Sequence, residues 1–128
     1  MYTFKKEERL CSKKLLEKLF NSGSSFLVYP FRITWLISEL PADVPAQVVI
    51  NVSKRKFKKA VTRNLLKRRI REIYRLNKTD LFYSYLGKTS MALGINYVGN
   101  EIHDYHLMEK KIMLAFQKLE KLHKEQHA

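Results

Sequence analysis

Cysteine occurs once in these 128 residues, at Cys11. A lone cysteine makes no internal disulfide, and no Cys/His set has the spacing of a structural zinc site. By the usual habit of a free thiol, Cys11 is expected to be a small, partly buried side chain, consistent with a reducing compartment. Long apolar runs are missing too: nothing approaches the roughly 20 residues that a membrane-crossing helix needs. Met1 to Leu10 is charged and lacks the apolar stretch of a signal peptide. These absences lead to the expectation of an unexported, cytoplasmic protein with no membrane partner. Acid is also scarce, with 12 Asp+Glu against 25 Lys+Arg and a net charge of +13.

What the chain does contain is enough for a core. Hydrophobic residues make up 45% and aromatics 12%, which excludes a disordered basic tail. The length suits one domain, residues 1–128. The charge is concentrated: between Lys54 and Arg75 stand eleven basic residues and one acid, Glu72. Such an excess repels itself and is relieved by a polyanion. Nucleic acid is the commonest such partner, an anionic membrane surface the other.

Periodicity gives the elements. Lys13 to Phe20 reads as a helix, capped by Ser12 and ended near Gly23, with Leu15, Leu16, Leu19 and Phe20 on one stripe. Phe26 to Ile37 reads as a strand region that Pro30 bends or breaks in two. Phe31, Ile33, Trp35 and Ile37 alternate with Arg32, Thr34 and Leu36. Glu39 to Ala46, with two prolines, is a loop, and Gln47 to Ser53 a second strand. The connection is hairpin-like, so these strands are expected to be antiparallel. Ala60 to Asn77 is the strongest helix. Residues 78–89 are irregular, with a helical turn possible at Leu81 to Leu86. Ser90 to Val98 is a third strand. Asp104 caps a last helix on which Met108, Ile112, Ala115, Leu119 and Leu122 recur. The order helix, strands, helix, strand, helix indicates an α+β fold: one small mixed sheet packed with about three helices.

At about 100° per residue the helix Ala60 to Asn77 separates into two faces. Thr62, Leu66, Ile70 and Ile73 share one and should pack on the sheet. Arg63, Asn64, Lys67, Arg68, Arg71 and Arg75 share the other. A solvated helix face would mix in acids to relieve that repulsion. Unrelieved guanidinium forks suit phosphate oxygens, and the Asn64 amide suits a base edge or ribose hydroxyl. A merely solvated basic face is the competing reading. Lys54, Arg55, Lys56, Lys58 and Lys59 lie just before the helix, where cations oppose its dipole. A phosphate bound there would reverse the penalty.

These residues also carry a resemblance. Val61, Arg63, Asn64, Lys67, Arg68 and Arg71-Glu72, preceded by Val52-Ser53-Lys54, resemble the signature of the bacterial ribonuclease P protein subunit. Lys6-Glu7-Glu8-Arg9-Leu10 resembles that family's opening, and Phe20 with Gly23 its first helix end. There are departures: Leu65 stands where a third basic residue is usual, and Lys58 and Lys59 where Gly-Asn is common. Leu16 and Thr34 stand where many members carry aromatics, so more reliance on charge is expected. The resemblance implies a ribonucleoprotein endoribonuclease in which a large RNA performs the cleavage that removes the 5′ leader of precursor tRNA. The chain would hold the catalytic RNA with the basic helix and bind the leader in a cleft beside the sheet. It also implies an unusual left-handed crossover around the basic helix. Mg²⁺ is expected to be held mainly by the partner RNA, and neither a cofactor bound by the chain nor an obligate protein partner is evident in the sequence.

Within such a cleft, Phe20 and Phe57 are the candidates for stacking on bases, with Arg32 and Thr34 lining it from the second strand face. Phe31 and Trp35 fall on the core side. The pairs His103/His106 and His123/His127 have metal-compatible spacing, yet no carboxylate or cysteine converges on them in sequence, so solvated histidines are expected. No set of side chains suggests a protein active site. A non-enzymatic ribosomal-type or chaperone-like RNA-binding protein is the alternative that composition alone leaves open.

Overall fold

In the computed structural model, residues 4–126 are described. A short 3₁₀ turn (Lys6–Glu8) precedes α1 (Lys13–Ser22), and the strands β1 (Ser24–Val28), β2 (Phe31–Ile37) and β3 (Ala46–Val52) follow. Then come α2 (Ala60–Lys78), a π-helical turn (Thr79–Tyr83), the single turn α3 (Ser84–Leu86), β4 (Met91–Tyr97) and α4 (Tyr105–Gln126). The expected α+β architecture is therefore present.

Local chemistry sets the boundaries. Ser12 Oγ accepts a hydrogen bond from Leu15 N at 3.2 Å and caps α1. At Gly23 a Cβ would lie 2.4 Å from Leu19 O and 2.9 Å from Trp35 O, so only a bare Cα lets the chain turn there. Pro30 divides the first strand region: β1 and β2 form an antiparallel pair, with Phe26 opposite Ile33, around a cis Tyr29–Pro30 bond. An Asp104 carboxylate oxygen accepts from Leu107 N at 2.9 Å at the start of α4.

The four strands lie in the order β1-β2-β4-β3. β2 pairs antiparallel with β4, and β3 pairs parallel with β4. The hairpin-like reading of the β2–β3 connection needs correction. The two strands do run in opposite directions, but β4 is inserted between them. The reason lies in β4 itself, where Met91, Ala92, Leu93, Gly94 and Ile95 are all buried. An apolar strand of this kind is most stable in the centre, with both edges paired and both faces covered. The parallel β3 and β4 are joined through α2, a β-α-β crossover.

Two apolar clusters sandwich the sheet. On one face Phe31, Ile33, Trp35, Val48, Leu93 and Ile95 pack with Leu66, Ile70 and Ile73 of α2 and Met108, Ile112 and Phe116 of α4. On the other, Leu10, Leu15 and Leu19 pack on Ala92, with Leu36 and Val49 alongside. The helical turns of residues 79–86 bury Phe82 and Leu86. Cys11 is exposed rather than partly buried. Its neighbour Leu10 takes the core position, and the chain then turns outward to place the Ser12 cap.

Candidate nucleic-acid interface

The outer face of α2 is narrower than the sequence periodicity suggests. Leu66, Ile70 and Ile73 are fully buried, as their side of the wheel requires, but Tyr74 is buried as well. Tyr74 falls at about 220° from Val61, inside the arc assigned to the cations. It is covered because the π-helical turn and α4 fold against the end of α2, with Phe82 and Phe116 each 6.2 Å from its ring. Lys78 is withdrawn from the surface altogether and pairs with Glu8.

Two arginines assigned to phosphate contact have structural partners instead. Arg63 Nη1 donates to Phe57 O at 2.7 Å and to Lys58 O at 2.9 Å, tying the preceding loop to the helix. Arg75 Nη2 meets Glu72 Oε1 at 2.5 Å. The Arg75 hydrogen bond holds the Glu72 carboxyl below its ordinary range. Arg69, on the flank of the helix, donates to His103 O at 3.1 Å. What remains outward is Asn64, Arg68 and Arg71, all exposed, with Lys67 half-buried beside them. With Val61 and Leu65 these four line a shallow groove of about 390 Å³. A cationic groove of this kind suits a sugar–phosphate backbone.

The loop before α2 presents Lys54, Arg55, Lys58 and Lys59 to solvent, while Lys56 Nζ donates to Val98 O. Lys59 occupies the helix cap position without a side-chain hydrogen bond to the first turn. The first α2 N–H groups and this cluster of cations therefore face the same anion-seeking region.

A second surface lies on the sheet face that α1 only partly covers. Phe20, at the end of α1, is 47% exposed. Its ring rests on β4 at Gly94: a Cβ placed there would lie 3.4 Å from Phe20 Cε1 and Cζ. Arg32 is exposed on the same face. Thr34 points to that face but is only 7% exposed, so it is part of the floor under α1 and offers no free hydroxyl surface. Phe57, the other stacking candidate, belongs to the opposite core. It is 8% exposed, with its ring 5.9 Å from Tyr97, because the chain must bring an apolar anchor inward between two runs of lysine.

Asn51 and Asn96 were missed by sequence reasoning. Asn51 Nδ2 donates to Asn96 Oδ1 at 2.9 Å, and Asn96 Nδ2 donates to Arg32 O at 3.1 Å. Their alternation with buried Val52, Ile95 and Tyr97 was the available signal. His106 is exposed, as the solvated reading expects, but two other histidines depart from it. His123 is buried, with Nε2 3.0 Å from Thr89 Oγ1, and His103 is half-buried against Tyr29 and Tyr97. His127 lies outside the described residues. Among the described residues no group of three or more His, Cys, Asp or Glu is placed to hold a metal ion, and no helix is long and apolar enough to cross a membrane.

The family model for Ribonuclease P matches residues 4–98. The ribonuclease P protein component of Petrotoga mobilis is 38% identical over 120 residues, covering 92% of this chain and 96% of that protein. The component from Porphyromonas gingivalis is 32% identical over 107 residues, covering 82% and 77%. Solved RNase P proteins share the fold. The Thermotoga maritima protein aligns with a TM-score of 0.67 at 22% identity, over 87% of this chain and 96% of that one. The Staphylococcus aureus protein aligns with a TM-score of 0.69 at 17% identity, over 89% and 95%. With the family model matched over most of the chain and relatives 32% and 38% identical along most of its length, this chain belongs to the ribonuclease P protein family.

Proposed function

We propose that this protein engages two RNAs on opposite sides of its sheet: the ribonuclease P RNA along α2 and the loop before it, and the 5′ leader of precursor tRNA on the face carrying Phe20 and Arg32. Removal of the leader is the ribonucleoprotein's reaction, with cleavage chemistry and Mg²⁺ assigned to the RNA. The protein supplies positioning and charge. Cations on α2 offset repulsion between the two RNAs, so the holoenzyme needs less metal to bind its substrate.

The observation that supports the leader's placement is the exposed Phe20 ring over Gly94, with Arg32 exposed on the same sheet face and α2 packed on the opposite one. Stacking of a base on an aromatic ring contributes roughly 1–3 kcal/mol. Phe20→Ala should therefore weaken holoenzyme binding of precursor tRNA by about tenfold and leave binding of mature tRNA, which has no leader, nearly unchanged. Equal loss for both would rule out the leader site. A ribosomal-type or chaperone-like role is not favoured by any observation once the family is known.

A further inference from the structure

The two edges of the sheet differ. In the order β1-β2-β4-β3, the outermost strands are β1 and β3. The β3 edge is covered by the N-terminal segment: Leu10 N donates to Val48 O at 2.9 Å, Arg9 bridges to Val48 in parallel, and Gln47 Nε2 donates to Glu7 O at 2.9 Å. Along β1, among the described residues, no hydrogen bond reaches the outer side. The register shows which groups stand open there. Val98 N donates to Pro30 O at 2.8 Å, so the even-numbered residues of β2 bond to β4. Phe31, Ile33 and Trp35 therefore bond to β1, through their partners Val28, Phe26 and Ser24. Ser25 and Leu27 direct their N–H and C=O groups away from the sheet, and both residues are exposed.

Sheet edges are commonly guarded by charged side chains, proline or a bulge within the strand. β1 has none of these: it reads Ser-Ser-Phe-Leu-Val and pairs with β2 without a break in register. The charge lies beside it, on α4. Lys118 Nζ sits over the Phe26 ring at 5.1 Å. Lys118, Lys121 and Leu122 border one shallow hollow along α4. Leu122 and Glu125 continue into a second, of about 350 Å³, closed by Ser24, Ser25 and Trp35. Among the described residues neither Lys118 nor Lys121 has a carboxylate within ion-pair distance, whereas Lys124 is paired with Glu120. Glu125 is the one acid that borders both hollows.

We infer that the open edge of β1 takes an extended acidic segment of a partner protein as a fifth strand. Ser25 and Leu27 each offer it one donor and one acceptor, the pattern that a peptide backbone matches. In such strand addition the main chain supplies affinity, and hollows that receive alternate side chains supply specificity. Here the side chains that fall toward α4 meet Lys118 and Lys121, which select aspartate or glutamate, and then a neutral residue beside Glu125 at the Ser24 end. An RNA strand fits less well, because its phosphates bring no donor to the outward carbonyls and are repelled by them. A second copy of this chain would bring a further net charge of +13 to the same edge. The strand that leads into α2 is β3, at the opposite edge, so this contact is additional to those of the cationic helix.

The test titrates synthetic decapeptides into the isotope-labelled full chain and follows both binding and amide hydrogen exchange by NMR. Each peptide has glutamate at alternate positions, with valine, threonine or phenylalanine between. At least one should bind, slow exchange at the Ser25 and Leu27 amides, and shift resonances of β1 and the facing part of α4. The matching peptide with lysine for glutamate should bind about tenfold more weakly. Ser25→Pro removes one outward N–H at an edge that tolerates proline and should weaken binding about fivefold. Ser25→Ala keeps that N–H and should bind as the wild type does. Lys118→Glu with Lys121→Glu should remove the preference for the acidic peptide. Unchanged circular dichroism verifies that each variant is folded. No protection of Ser25 and Leu27 by any of the peptides overturns the inference. So do shifts centred on Asn64, Arg68 and Arg71, which would mean attraction to α2 by charge alone. Protection of the same two amides by a ten-nucleotide oligouridine and not by the peptides would give the edge to RNA. Self-association of the chain that Ser25→Pro abolishes would give it to a second copy. Either result overturns the acidic partner.

Discussion

Glu8 and Lys78, 70 positions apart in sequence, form a buried ion pair that fastens the N-terminal turn to the end of α2. The same carboxylate accepts from Tyr83 Oη at 2.6 Å through Oε1 and from Lys5 N at 2.7 Å through Oε2. The lysine ammonium also lies over the rings of Phe4, Tyr74 and Tyr83 at 5.6 to 5.8 Å. This cluster removes the last cation of α2 from the outward cationic arc and fixes where that arc ends.

Breaking one half of this pair should be more damaging than removing both. Lys78→Met leaves the Glu8 carboxylate buried without its cation and should destabilise the fold by about 3 kcal/mol. Adding Glu8→Gln to that variant should recover part of the loss, because no buried charge then remains. Urea unfolding of the wild type, both single variants and the double variant measures the coupling. Additive losses would show that the two side chains do not depend on each other.

Acid sensitivity follows from the same carboxylate. Burial raises the Glu8 pKa, but hydrogen bonds from Lys78, Tyr83 and the Lys5 N–H outweigh it, and the net value falls below the ordinary 4.5. A carboxyl with a depressed folded pKa contributes its full stability above the unfolded value and loses it as pH falls through the folded value. Stability should therefore drop as pH is lowered below about 4.5. The Glu8→Gln profile should be flatter over that window. Parallel profiles would assign the acid loss to other groups.

Arg68 and Arg63 should separate affinity from stability. Arg68→Glu should lower the steepness of the salt dependence of binding to the ribonuclease P RNA by about one unit of slope or more. Its effect on unfolding should stay within about 0.5 kcal/mol. Arg63→Ala removes two hydrogen bonds to loop carbonyls and should cost about 1–2 kcal/mol of stability. Arg63→Lys should rescue little of that, since an ammonium does not reproduce the guanidinium fork. A stable Arg63→Ala protein would mean that the loop holds its place without this tie.

The polypeptide without its RNA should leave precursor tRNA intact in Mg²⁺. Hydrolysis of a phosphodiester by a protein commonly relies on carboxylate-bound metal ions or on paired general acid–base histidines. Here Glu72 is engaged by Arg75, and His103 and His123 are packed among aromatic rings. Accurate 5′ cleavage by the purified chain, abolished by a substitution within it, would refute this expectation.

The sequence by itself determined the elements, the two-faced character of α2 and the family, because each depends on spacing within one short segment. Leu66, Ile70 and Ile73 recur every three to four residues and were bound to face the same way. Phe31, Ile33 and Trp35 alternate and were bound to share a side of their strand. Only the tertiary structure decided which strand lies beside which: β4 enters between β2 and β3, and no local pattern encodes a neighbour more than forty residues away in the chain. The same holds for the surfaces that bear on function. Phe57 and Arg63 carry the residue types of RNA contacts, yet one anchors the core and the other ties the loop, whereas Asn51 and Asn96 become a unit only when parallel pairing sets them side by side. Side-chain type and periodicity report what a residue prefers to face. Partners are chosen by packing, which brings together distant segments whose burial lowers the free energy of the whole chain.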